Sequence, residues 1–164
     1  MSLKESAVPW MRFCVGDRNF AILLAAVTEV APAGRPDFIP LVPLEIGGVL
    51  NVRGEPLPVV QGGVLLGRSP SDGARHALVL EDGSLRVGVL VDQVSRIERG
   101  LGEAGTDDAL GDEDSEPGPD FVSWVRHGGV RVGLVAAEDL LRQATELLAR
   151  GAEHRGEETC LSAF

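Results

Sequence analysis

Two prolines spaced one residue apart, Pro56 and Pro58, constrain this chain more than anything else in it. They stand inside an apolar run that follows directly on a turn, in Gly47–Val60, GGVLNVRGEPLPVV. Before the turn, Val49, Asn51 and Arg53 alternate with Leu50 and Val52, the period-two pattern of a half-buried strand. Gly54-Glu55-Pro56 supplies the corner, since Gly accepts backbone angles that other residues avoid and Pro fixes its own. On the returning strand alternate N–H groups aim to one side, so both missing donors fall on the same edge. The hairpin then pairs through Leu57 and Val59 and leaves the proline side blunted. A rigid corner with one arginine beside apolar strands suits docking better than catalysis.

The remaining 150 residues have to be organised around that hairpin. A length of 164 predicts one domain, or two small subdomains sharing a core. Hydrophobic residues make up 44 %, with 21 Gly and 10 Pro as punctuation, which favours many short strands and turns. Aromatic residues are only 4 % and Tyr is absent, against stacking of single-stranded nucleic acid. Net charge is −10, yet eight carboxylates lie between Gly102 and Asp120 with no Lys or Arg among them. Setting those aside leaves two excess negatives, so the acidity belongs to one segment, 102–120, which reads as a solvated, disordered linker. No basic stripe is evident to neutralise phosphates, which argues against a nucleic-acid partner. Cys14 and Cys160 give no disulfide or metal framework. The start, MSLKESAVPW, has no secretory pattern and no run reaches membrane-spanning length, so the chain reads as cytoplasmic with no membrane insertion.

Three hairpins follow from turn chemistry. Trp10–Gly16 and Phe20–Leu24 flank Gly-Asp-Arg-Asn; His76–Glu81 and Leu85–Val94 flank Asp82-Gly83-Ser84; Phe121–His127 and Val130–Ala136 flank Gly128-Gly129. Propensity leaves Ala25–Val30 undecided, and prolines at 32, 36, 40 and 43 rule out regular helix over 31–43. Val64–Gly67 reads as a single helical turn. Glu138 to Arg150 is the one long helix, with Leu140, Leu141, Ala144, Leu147 and Leu148 on one stripe and Gly151 placed to stop it. A flexible tail is expected over 151–164. Little helix and no alternation of strand with helix point to a barrel or a pair of barrels.

The order of these signals resembles the CheW-like domain of bacterial chemotaxis coupling proteins. GGVLNVRGEPLPVV is similar to that family's G-x-[IVL]-N-[LV]-R-G-x-x-[IVL]-P-[IV]-[IV] signature. Support comes from FCVGDRNFAILLAAVTEV upstream and ALVLEDGSLRVGVLVDQV and FVSWVRHGGVRVGLVAAEDLL downstream. The resemblance runs from about Trp10 to Leu148 and implies one domain over 8–150. It implies a mostly β fold of two small SH3-like five-stranded β-barrel subdomains packed together, with a hydrophobic groove between them and a C-terminal α-helix. It further implies a non-enzymatic adaptor, without cofactor or metal, that couples a chemoreceptor cytoplasmic tip to the regulatory domain of a histidine kinase. Asn51, Arg53 and Gly54 match the signature corner, Val27, Glu29 and Val30 a partner-binding segment, and Val91, Asp92 and Val94 a strand near the groove. Two departures stand out. Gln61-Gly62-Gly63 replaces the family's Asp-Leu and basic residue, and Val135-Ala136-Ala137 replaces Leu-Asp before the helix.

Each of these residues has a plainer reading. Arg53 would otherwise be a surface arginine covering apolar neighbours with its stem, and Asn51 a cap for backbone groups at the corner. Val27, Val30, Val49 and Val91 are individually indistinguishable from core residues. Glu29 and Asp92 would be solvated charges. GLGEAG at 100–105 satisfies G-x-G-x-x-G, but the TDDALGDEDSEPG that follows opens no helix and repels phosphate. His76, His127 and His154 have neither metal spacing nor a nucleophile partner. Two rivals to the coupling adaptor are a small-molecule-binding β-barrel or accessory enzyme subunit, and a divergent relative that binds one partner only.

Overall fold

The computed structural model describes residues 8–34, 46–67, 74–101 and 119–162, with side chains described as far as Gly151. The stretch 35–45 and nearly all of the acidic segment lie outside the described residues. Strands β1 (Pro9–Val15) and β2 (Arg18–Leu23) form the first hairpin, and a 3-10 turn at Leu24–Ala26 leads to β3 (Glu29–Pro32). The signature hairpin is β4 (Ile46–Val52) and β5 (Glu55–Gln61), closed by α1 (Gly62–Leu65). Then come β6 (His76–Asp82), β7 (Leu85–Val91), β8 (Gln93–Arg99), β9 (Val122–His127), β10 (Val130–Val135) and α2 (Ala137–Ser162).

These strands make two five-stranded sheets, ordered β8-β1-β2-β10-β9 and β3-β6-β7-β5-β4, called sheets one and two below. The two orders are the same pattern with the halves of the chain exchanged. In each, an antiparallel hairpin from one half runs parallel to the second strand of a hairpin from the other half (β2 beside β10, β7 beside β5). A lone strand from that other half completes each sheet, β8 against β1 and β3 against β6. The two half-barrels are therefore interlocked. Every ladder joining one hairpin to another element crosses between residues 9–67 and 76–135.

The main core lies between the sheets. Met11, Phe13, Val15, Phe20 and Ile22 from sheet one pack with Leu78, Leu80, Val87, Val89 and Val91 from sheet two, and Leu140, Ala144 and Leu147 of α2 complete it. A second cluster, with Leu50, Leu57, Val59, Val79 and Leu90, fills the other face of sheet two. A smaller one, Ala21, Leu101 and Val132, lies on the other face of sheet one. The expected fold class is observed, with one difference. Among the described residues the interval between the sheets is a packed core rather than an open groove.

Three local expectations are corrected. The strand expected over Leu85–Val94 is two, broken at Asp92, where the chain passes from sheet two into sheet one. The Asp92 N–H donates to the Cys14 carbonyl at 3.0 Å, and Asp92 Oδ2 accepts from the Gly16 N–H at 2.5 Å, fastening the crossing to the first turn. The proline-bearing strand β5 is not an edge, since β4 flanks one side and β7 the other. The β7 ladder begins only at Val59, past Pro58, where N–H donors resume. Finally, α2 runs through Gly151 to Ser162, so the expected helix stop is not at Gly151. Gly151 is buried, and its position in the helix is consistent with packing at a close approach.

The Gln61-Gly62-Gly63 departure has a packing reason. A Cβ placed on Gly62 would lie 2.4 Å from the Leu90 carbonyl oxygen, a rigid backbone atom of β7. Gly62→Ala is therefore expected to push α1 off β7 and cost about 1–3 kcal/mol, read as a lowered urea midpoint. A wild-type midpoint would show that α1 shifts freely.

Candidate docking surface

The β4–β5 corner is a two-residue turn, Arg53-Gly54, with both residues at positive φ (52° and 83°). That is the geometry that matches strand twist in tight hairpins. Arg53 is the only non-glycine residue with positive φ among those described, a conformation that normally disfavours a side chain. Asn51 secures it, its Oδ1 accepting from the Gly54 N–H at 2.8 Å. The capping role for Asn51 is thus present, whatever else it does.

Arg53 projects from this turn with its side chain 82 % exposed, 3.7 Å from Glu29 Oε2. Glu29 belongs to β3 and Arg53 to the β4 end of sheet two, opposite edges in the strand order. The ion pair therefore closes the sheet on itself. Behind it stands Arg86, which sequence reasoning missed. Its guanidinium reaches Glu29 at 3.4 Å, Glu55 at 3.4 Å and Glu81 at 2.8 Å, joining β3, β5 and β6 through β7. Glu81 stands directly opposite Arg86 in the β6–β7 hairpin, but Glu29 and Glu55 meet it only through the strand exchange, which no spacing in the sequence signals. Sheet one closes in a parallel way: Glu98 of β8 lies 3.9 Å from His127 at the end of β9.

The other singled-out residues separate into two groups. Val27 and Val30 are half-buried and pack, with Leu24 and Val94, against the rim of the main core where the chain crosses between sheets. Val49 is half-buried on β4, and Gly54 is exposed beside Arg53. Val91 is wholly buried, so it reaches a partner only through what it supports. Asp92 is engaged with the Gly16 turn. The structure thus brings Glu29, Asn51, Arg53 and Gly54 together, sets Val27 and Val30 on the crossing beside them in sequence, and places Val91 and Asp92 at the opposite crossing. Elsewhere, an open cleft of about 600 Å³ lies between α1, Pro119–Phe121 and α2, floored by Val64, Leu65, Phe121 and Leu147. Among the described residues there is no group of three or more His, Cys, Asp or Glu suited to a metal, and no helix long and apolar enough to cross a membrane.

Comparison with known proteins bears on what this arrangement is. The sequence model of the CheW-like domain matches residues 9–123. The chain is 31 % identical over 137 residues to a chemotaxis protein CheW of Rhizobium meliloti, covering 82 % of this chain and 81 % of that one. It is 33 % identical over 98 residues to a probable chemotaxis protein CheW of Rhizobium etli, covering 58 % and 63 %. Its fold is similar to the crystal structure of the scaffolding protein TtCheW from Thermoanaerobacter tengcongensis, with a TM-score of 0.59 at 19 % identity over 79 % of this chain and 84 % of that one. The matched span takes in both crossings and the capped Arg53 corner, and with it the chain belongs to the CheW-like domain family.

Proposed function

We propose that this protein is a non-enzymatic coupling adaptor of a chemosensory pathway, holding a chemoreceptor cytoplasmic tip and the regulatory domain of a histidine kinase on different faces. Two modest contacts on one rigid body then act as a single assembly, because each partner raises the effective concentration of the other. Signal passes as a shift in kinase populations set by how the two are held. The observation that carries this reading is Arg53, a long cationic side chain kept in a strained backbone conformation and still mostly in solvent. Strain retained at an exposed residue marks function more often than stability, and arginine is favoured at interface centres. Val27 and Val30, half-buried at the rim of the main core with Val30 on the face of β3 opposite Glu29, supply apolar ground for the second partner's face.

The test uses two substitutions at one position. Arg53→Gly keeps a residue suited to positive φ, so relief of strain offsets the greater freedom of the unfolded chain, and stability should hold within about 1 kcal/mol. Arg53→Glu reverses the charge beside Glu29. Both variants should weaken binding to the kinase regulatory domain or to the receptor tip by about tenfold or more in calorimetric titration, roughly 1.4 kcal/mol. Wild-type affinity for both partners in both variants would remove Arg53 from the interface.

A further inference from the structure

The five strands of sheet one carry six arginines against one carboxylate, although the whole chain has a net charge of −10. Those of sheet two carry four carboxylates against one arginine. Three of the sheet-one arginines form a single row. Arg126 and Arg131 are directly opposite in the β9–β10 ladder. The β10–β2 register, Val132 beside Asn19, sets Arg131 alongside Arg18.

Like charges directly opposite on a sheet are unfavourable, so strand pairing does not explain this row. The rung beneath it, on the same face, is aromatic: Phe20 and Trp124 meet across Gly133 with ring centres 5.6 Å apart. A shallow depression at the tips of the two hairpins is lined by Asp17, Arg18, Asn19, Trp124, Val130 and Arg131. Asp17 is its one acid, 3.6 Å from Arg18. Val130 adds an exposed apolar side chain.

We infer that the Arg18–Arg131–Arg126 row is a docking site for an acidic segment of a partner protein. Neighbouring strands are about 4.8 Å apart, so the row spans roughly 10 Å. That matches a few carboxylates on one short segment rather than the track of a long polyanion. Arginine forks pair with carboxylates in two-bond geometry, and the exposed Val130 offers apolar ground that a phosphate backbone does not use. The chain's net charge of −10 also opposes the close approach of an extended polyanion or an anionic bilayer. The site goes beyond the coupling reading and does not depend on it. The β9–β10 hairpin holds in sheet one the place that the Arg53 hairpin holds in sheet two, so the two surfaces are separate.

A labelled glutamate-rich peptide, titrated by fluorescence anisotropy at physiological salt, tests this. The wild-type chain should bind it, and binding should weaken as salt rises. Arg126→Gln with Arg131→Gln keeps much of each stem and should weaken binding about tenfold at an unchanged melting temperature, while Arg53→Gly binds as wild type. Should the double variant melt early, Arg126→Gln alone is expected to weaken binding several-fold at the wild-type melting temperature. No binding by the wild type, wild-type binding by these variants, or tighter wild-type binding to duplex DNA or phosphatidylserine vesicles than to the peptide would each overturn the assignment. So would a lowered melting temperature with binding intact, which would make the arginines a cover for the aromatic rung.

Discussion

Cut between Gly67 and Ala74 and expressed separately, neither half of this chain should fold. Residues up to Gly67 contain β1–β5, but within that set only β1 pairs with β2 and β4 with β5. Residues from Ala74 contain β6–β10, and there only β6 pairs with β7 and β9 with β10. Each half is thus two isolated hairpins and a loose strand, with α2 added in the second, and two-stranded hairpins alone are marginal in water. The four ladders that make sheets of them all run between halves, and the main core draws on both. Each half by itself should lack a cooperative melting transition and exchange its amide protons quickly. Mixed or co-expressed, the halves should regain β-sheet circular dichroism and a single transition. A half that melts cooperatively alone would show that its hairpins pack in some way other than the interlocked one. The same topology makes most stabilising contacts long-range, which predicts slow folding for a domain this size.

This exchange is also where the sequence stops being legible. The three hairpins around Gly16-Asp17, Asp82-Gly83-Ser84 and Gly128-Gly129, and the signature hairpin, were readable because turn chemistry is local. Which hairpin lies beside which is a non-local fact, and nothing at Val59 or Gly133 announces a parallel neighbour. The two lone strands escaped for different reasons. β3 is four residues long and follows Ala25–Val30, where helix and strand propensity balance. β8 is a sheet edge, largely exposed, with no clean alternation of apolar residues to betray it. In the candidate site, Arg53 and Asn51 could be singled out from their motif, and the Asn51 cap is local enough to foresee. Arg86 could not, because only Glu81 faces it across a local hairpin, while Glu29 and Glu55 reach it only in three dimensions. Val91 shows the converse limit: a valine on a strand near a proposed surface is, far more often than not, core.

Glu98 should prove the most costly single polar residue to neutralise. Arg12 is buried as a whole residue, and Glu98 is its partner, 2.9 Å away with both side chains more than nine-tenths buried. The same carboxylate oxygen, Oε1, accepts from Arg96 Nε at 2.7 Å. Burial alone would raise the Glu98 pKa, but the hydrogen bonds and charges of Arg12 and Arg96 together outweigh it and hold the carboxyl below the usual value of 4.5. A carboxyl whose folded value is depressed contributes stability above its unfolded value and loses it as pH falls through the folded one. Glu98→Gln leaves Arg12 buried without a countercharge, and removing one member of a buried pair costs about 3 kcal/mol. That deficit should appear in urea unfolding at neutral pH and shrink well below 4.5, where the wild-type carboxyl has itself become neutral. An equal deficit at both pH values would assign the loss to shape rather than charge. Replacing both Arg12 and Glu98 by methionine should recover much of it, because two apolar side chains fill the space without stranding a charge. The pair then serves to fix the β1–β8 register at the closure of sheet one. The double variant tests that separately, since it should regain stability while its amide exchange along β8 stays faster than in the wild type.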